Sequence, residues 1–439
     1  MLAIVATVLI VGAGSGAAIC HYTSVNCHVG RFFFSQDTTA QQDEQLIHSL
    51  KSGSTVTGNF AGSLSGRVAL TGFTEPTDFA FLTPKRLLVS EKRGVVWEAS
   101  LATNERRIVL DLRKDTSVGY FRGLVTVAAD PDFARDHFIY VLYSVTHGKP
   151  TSAAPTTARL TRYTLGANGE AQSPHVLLGT ARGRSCSTLP SGADCIPSDL
   201  DHLGAEIAFA PDGTMFISTG DGGGYDSKIE QDALRAQDVN ALGGKVLHIT
   251  RSGLGVPSNP FFDGNPKDNR SKVWAIGLRN PFRLARDPQT GALVAGDVGA
   301  HRYDEIDVVH RGDDLGWPCY EGDVPHPPYA SSRYCRTLYA RGRSSLTWPT
   351  KTEPSTTVIV GGAFLPKGLA RDVHGTYLFA SLGHGWLRAM SFSARDLAAV
   401  SHVLAEKLPG PVAIHLSPAG GLYILCLGTG DLLRISSQS

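Results

Sequence analysis

The chain has 439 residues with 41 basic against 40 acidic side chains, so it lacks the basic surplus that a phosphate backbone demands, and no nucleic-acid partner is expected. Its 48 Gly and 24 Pro, against 3 Met, describe many turns between short apolar runs, which argues against a helical bundle and for an all-β chain. The length suffices for one large domain or two ordinary ones.

In chain order, Leu2 to Ile19 is apolar and ends in the small residues Gly12 to Ala18. Roughly 18 such residues are borderline for a membrane span and long for a signal core. They predict a signal peptide or membrane anchor over 1–30, and hence a secreted or extracytoplasmic protein. An N-terminal extension over 31–69 follows. Residues 36–51 and 227–242 are compatible with short helices outside the strand system.

From residue 76 a weak unit recurs: an apolar strand, a turn carrying Pro, Asp or Gly, and a second apolar strand. Copies begin at Pro76, Gly123, Glu206, Phe282, Val358 and Pro411. Each alternates with period two around hairpin-type turn residues. Six copies give about 60 residues per unit, longer than the ~40–45 of the commonest propeller blade. The excess is expected as insertions, with 146–203 and 318–350 as long loops. Radial closure removes the exposed edges of such an array, which predicts a six-bladed β-propeller over 70–439, with six four-stranded blades around a central channel.

Seven cysteines contain no C-x-x-C pair, so a zinc ribbon or thioredoxin site is not expected. Cys186 and Cys195 lie in one Ser/Gly/Pro loop, and Cys319 and Cys335 flank another. Both pairs read as disulfides of an oxidising compartment. Cys20 and Cys27 form a third candidate pair. Cys426 lies in an apolar run and is expected as a buried free thiol.

Chemistry concentrates near the third copy. His202 precedes its first strand and Asp221 follows its second, so an antiparallel hairpin brings the two together. A carboxylate on one imidazole nitrogen leaves the other as a base. A His held by a loop carbonyl and an Asp capping a Gly turn fits the spacing equally well.

Three strings follow: W-A-I-G-L-R-N-P-F-R from Trp274, A-G-D-V-G-A-H-R-Y-D-E-I-D from Ala295, and D-L-G-W-P-C-Y-E-G from Asp314. With His202, Gly204, Phe209, Pro211, Asp212, Gly213, Gly220 and Asp221, they resemble the signature of the soluble quinoprotein glucose/sorbosone dehydrogenase family. The resemblance implies oxidation of an aldose at its anomeric hydroxyl, with pyrroloquinoline quinone (PQQ) and Ca²⁺ as cofactors and an external electron acceptor. It implies His202 as the base, Asp221 as its support, Arg279 and Asn280 against PQQ, with Arg279 also stabilising the reduced quinone, and the carbonyls of Gly299 and Ala300 on Ca²⁺. Asp304 and Glu305 read as loop-fixing.

The chain departs from that pattern at Ala205, where a second Gly is usual, and at Tyr120-Phe121-Arg122-Gly123, where a Gln or Glu precedes the strand. Polar positions are also replaced at Tyr377-Leu378-Phe379-Ala380-Ser381-Leu382 and at Pro411-Val412-Ala413. A non-catalytic binding propeller, similar to the hedgehog-interacting-protein-like branch, is therefore the alternative. A lactonase-like hydrolase would want a cluster of acidic metal ligands at the funnel, and none can be assembled from the sequence.

Overall fold

The computed structural model describes residues 59–437, apart from residues 62–63, 120, 152–153, 200, 224–229, 342–350, 355–357, 366–376 and 393–397. The signal or anchor expected over 1–30, the helix expected over 36–51 and the Cys20/Cys27 pair lie outside the described residues. No described helix is long and apolar enough to cross a membrane.

Six antiparallel sheets form a β-propeller. The innermost strands are Pro76–Thr83, Leu124–Ala129, Glu206–Phe209, Pro281–Arg286, Ile359–Val360 and Pro411–Leu416, at or beside the six sequence repeats. Consecutive inner strands touch one another around the axis. Each blade is covered by a neighbour on both faces, so its middle strands are largely buried. Met215–Thr219 and Leu422–Cys426 are buried at every position. The core accordingly lies between blades. Leu142 and Leu160 pack on Ile217 and Leu247, and Ile306 and Val308 pack on Phe379.

The ring closes through its N-terminal end. Leu64–Leu70 pairs with Asp431–Ser437 as the outer strand of the sixth blade, and Asn59–Phe60 pairs with Ala398–Glu406 of the fifth. Among the described residues the strand system begins at Asn59, ahead of the expected residue 70. Closing a ring with a strand from the opposite terminus makes the last blade depend on both ends of the chain, which the hairpin pattern alone does not reveal.

The loop expected over 146–203 is corrected. It contains Thr157–Leu165 and Ala171–Leu178, the two outer strands of the second blade, with Ile196–Pro197 paired to the first of them. Segment 318–350 also holds structure: a hairpin of Tyr320–Glu321 with Val324–Pro325, and helices Pro327–Ala330 and Arg333–Arg341. The helix expected within 227–242 is a short turn, Glu230–Leu234, continued as a 3₁₀ turn over Arg235–Gln237. Cys186–Cys195 and Cys319–Cys335 are bonded, and Cys426 is a buried free thiol.

At the axis buried charged side chains bridge the inner strands. Arg283, 1% exposed, rises from the fourth blade and donates to the carbonyls of Thr77, Val125, Ala205 and Val412, which come from four different blade regions. Beside it sit Glu206, 3.7 Å from its Nε, and the buried pair Asp78–His415 at 2.8 Å. A planar guanidinium with five fixed donors suits a place where several carbonyls converge.

Candidate active site

The register Glu206↔Ser218 aligns the first two strands of the third blade, so the residues just before and just after them share one mouth of the ring. There His202 Nδ1 meets Asp221 Oδ1 at 2.8 Å. Asp221 is 1% exposed and also accepts from the Gly223 N–H at 2.8 Å and from Trp317 Nε1 at 2.8 Å. Burial pushes its carboxyl pKa up, but His202, Arg279 and these donors outweigh burial and hold it below the usual carboxylate value. An ionised carboxylate only accepts, so Nδ1 carries the imidazole proton and Nε2 is the free base. Among the described residues Nε2 has no hydrogen-bond partner.

The backbone around this pair is tightly set. Gly220 lies so close to the His202 carbonyl that a Cβ would stand 1.9 Å from its oxygen. His202 itself has φ +44° and Ala205 φ +114°, both in the left-handed half of the map. Ala205 thus occupies the conformation that the Gly it replaces adopts freely, which makes that replacement costlier than the sequence suggests.

Arg279 and Asn280 form the turn into the fourth blade. Their N–H groups donate to Asp297 Oδ2 and Oδ1 at 2.9 and 2.6 Å, and the Arg279 carbonyl accepts from Asp221 N at 2.8 Å. Asn280 Oδ1 accepts from Gly204 N at 3.0 Å, so this side chain ties the two turns together. The Arg279 guanidinium is 4% exposed and lies 5.4 Å from the Trp317 ring. Its Nη1 donates to the carbonyls of Val298 and Gly299 at 2.9 and 2.5 Å, whereas its buried Nε has no partner among the described residues. His202, Asp221, Arg279 and Asn280 are therefore brought together, with Gly299 and Ala300 on the adjoining loop.

That loop is shaped by a residue the sequence reading left unassigned. Glu321 Oε1 accepts from the consecutive N–H groups of Ala300, His301, Arg302 and Tyr303 at 2.7, 2.6, 2.9 and 3.3 Å. Burial raises the Glu321 pKa, yet these donors and His326 bring it below its ordinary value. Asp304 fixes the same loop, as expected, accepting from Gly299 N at 3.0 Å and Ile359 N at 2.9 Å.

Two features bear on cofactors. An unpaired, buried guanidinium N–H suits an anionic, planar quinone acid, and Arg279 Nε is one. A cation on the Gly299 carbonyl is less well served, because Arg279 Nη1 already occupies that oxygen. Between the third and fourth blades, however, carboxylate oxygens of Asp297, Glu305 and Asp307 lie within 4.8 Å of one another. All three residues are buried, and both Asp307 oxygens lack a hydrogen-bond partner among the described residues. Three oxygen donors suit a hard divalent cation. Glu305 and Asp307 face one side because they are two apart on one strand, and Asp297 is the cross-strand partner of Glu305. The acidic cluster that the sequence did not yield thus comes from strand register.

Residues 73–434 match the family model described as Glucose / Sorbosone dehydrogenase. The HIPL2 protein of Arabidopsis thaliana is 31% identical over 245 residues, which are 49% of this chain and 33% of that protein. Human hedgehog-interacting protein is 29% identical over 222 residues, 46% of this chain and 28% of that protein. The matched stretch thus spans a third or less of these two relatives. The PQQ-bound aldose sugar dehydrogenase from Streptomyces coelicolor has the same fold, with a TM-score of 0.64 at 24% identity over 86% of this chain and 99% of that one.

Proposed function

The chain belongs to the glucose/sorbosone dehydrogenase family, and we propose that it oxidises a sugar hydroxyl as a quinoprotein, using PQQ and passing electrons to an external acceptor. The observation that carries this reading is the His202–Asp221 pair at 2.8 Å, with Nδ1 held and Nε2 without a described partner.

PQQ, when bound, supplies the acceptor for hydride from the sugar carbon. The hydroxyl proton of that carbon goes to His202 Nε2. The resulting imidazolium is stabilised by Asp221, which Trp317 and the Gly223 N–H keep oriented and ionised. Arg279 Nε is the group available to an oxyanion at this mouth. Burial of Asp221, Arg279 and Trp317 keeps bulk water from weakening these charges. Ca²⁺ would be held by the Gly299 and Ala300 carbonyls once Arg279 releases Gly299, or by Asp297, Glu305 and Asp307. Two disulfides support folding outside the cytoplasm.

The test is a spectroscopic titration of the purified protein with PQQ and Ca²⁺, followed by an aldose. Saturable binding and sugar-dependent bleaching of the oxidised quinone band are expected. Absence of any PQQ binding would instead favour a binding propeller. That second reading draws on the engaged Gly299 carbonyl and on Phe121, 42% exposed, whose N–H donates to Asp201 beside His202.

A further inference from the structure

We propose that the cleft between the Glu230–Leu234 and Arg333–Arg341 helices is a subsite for the anionic group of an acidic saccharide. The cleft has a volume of about 420 Å³ and its described lining is Leu234, Arg333, Tyr334, Thr337, Leu338 and Arg341, with no acidic side chain among these described residues. Arg333, Thr337 and Arg341 are spaced i, i+4, i+8 and so form one ridge of the helix. Their Cα atoms span about 12 Å at 1.5 Å per residue, room for a sugar ring between two guanidinium groups.

Three features of this ridge bear on ligand binding. The first is charge. Arg86, Arg93, Arg107, Arg113, Arg135, Arg235, Arg251, Arg270 and Arg388 pair with carboxylates, whereas Arg286, Arg311, Arg336 and Arg434 make no ion pair with a described residue. Arg333 and Arg341 make no ion pair with any described residue. A guanidinium fork matches a carboxylate, sulfate or phosphate in two-point geometry.

The second is the floor. Tyr334 is 40% exposed, yet its hydroxyl is fixed by donation to Gln237 Oε1 at 2.7 Å. A held aromatic ring with one open face suits the apolar face of a pyranose. The third is position. Gln237 Nε2 in turn donates to the Trp317 carbonyl at 2.9 Å, and Trp317 Nε1 donates to Asp221. The inner side of the helix, at Cys335 and Leu338, packs in the same cluster as Ala300 and Trp317. The cleft and the His202–Asp221 pair therefore share a wall. An acidic saccharide anchored at Arg333 and Arg341 would extend along the face that carries the dyad. That this saccharide is also the substrate rests on the proposed dehydrogenase reading; binding in the cleft does not.

The experiment is calorimetric titration of the full chain with an aldobiuronic acid, with the neutral disaccharide of the same linkage, and with inorganic sulfate. The wild type should bind the acidic disaccharide at least tenfold more tightly than the neutral one. Arg333→Gln/Arg341→Gln should abolish that preference while leaving thermal stability and PQQ binding unchanged, because both side chains are exposed. Equal affinity for the two disaccharides, or an unaltered preference in the double variant, overturns the proposal. Sulfate binding as tightly as the acidic disaccharide also overturns it, since the site would then read charge and not sugar. If the preference is present but no sugar is oxidised by PQQ-treated protein, the dehydrogenase reading fails and the subsite stands.

Discussion

Trp317 donates its indole N–H to Asp221 Oδ2 at 2.8 Å, on the carboxylate whose other oxygen holds His202. The same ring lies 5.4 Å from the Arg279 guanidinium. One side chain from the disulfide-closed segment thus joins the base and the cation of the candidate site. Trp317→Phe keeps the ring and removes the donor. The Asp221 carboxyl should then titrate at a higher pH, and the acidic limb of the pH–rate profile should move up with it. A fall of about tenfold in kcat is expected, against the ~10²–10⁴ lost in His202→Ala, where the base itself is removed while PQQ still binds. Steady-state rates across pH 4–9 for the two variants check this. An unmoved acidic limb in Trp317→Phe would separate the indole from the dyad.

Ala205→Gly should stabilise the protein. Ala205 is held at φ +114°, a region costly to residues with a Cβ, and glycine relieves that strain while gaining some unfolded-state freedom. The net expectation is about 1 kcal/mol, read from the midpoint of urea unfolding at unchanged slope.

Glu321→Ala should loosen the loop that carries Gly299 and Ala300. Four consecutive N–H groups lose their common acceptor, and leaving the buried Ala300 donor unpaired costs about 1–3 kcal/mol. Hydrogen exchange at residues 300–303 should accelerate. Glu321→Gln, which keeps a carbonyl oxygen there, should recover part of the protection. Because the pKa of Glu321 is depressed by folding, its contribution is present above the unfolded value near 4.3 and is lost as pH falls through the folded value.

The buried cluster of Asp297, Glu305 and Asp307 has the opposite sign. Burial, and for Glu305 and Asp307 the neighbouring carboxylates, push all three upward, Asp297 to about 7. Carboxyls raised by folding are most compatible with the fold below about pH 4, where both states are protonated, and that contribution disappears as pH rises through the folded values. Metal-free protein should therefore melt at a lower temperature at pH 8 than at pH 6. Calcium should restore stability mainly at the higher pH, and Asp307→Asn should reduce that calcium effect. Scanning calorimetry with and without chelator at both pH values is the measurement.

Arg283→Leu should destabilise by about 3–5 kcal/mol. It leaves four converging carbonyls without their donor and removes one cation beside Glu206 and Asp78, at the point where several blades meet. Chemical denaturation checks it.

Hairpin alternation and turn residues are local, and they sufficed to place six inner strands close to where they lie. Local periodicity also set the two disulfide loops, because a bridge over 9 or 16 residues needs only a nearby turn. The His202–Asp221 pairing was legible because one hairpin carries both residues, and the Arg279-Asn280 turn because its Pro281 ends the preceding segment. What the sequence could not decide came from contacts distant along the chain. Ring closure by Leu64–Leu70, four carbonyls gathered on Arg283, and Glu321 reaching back some twenty residues to the loop at Ala300 all depend on which blades become neighbours. So does the convergence of Asp297 with Glu305 and Asp307, which follows from strand register. Side chains on one strand alternate predictably, but which residue of another strand stands opposite is settled only when the sheet forms.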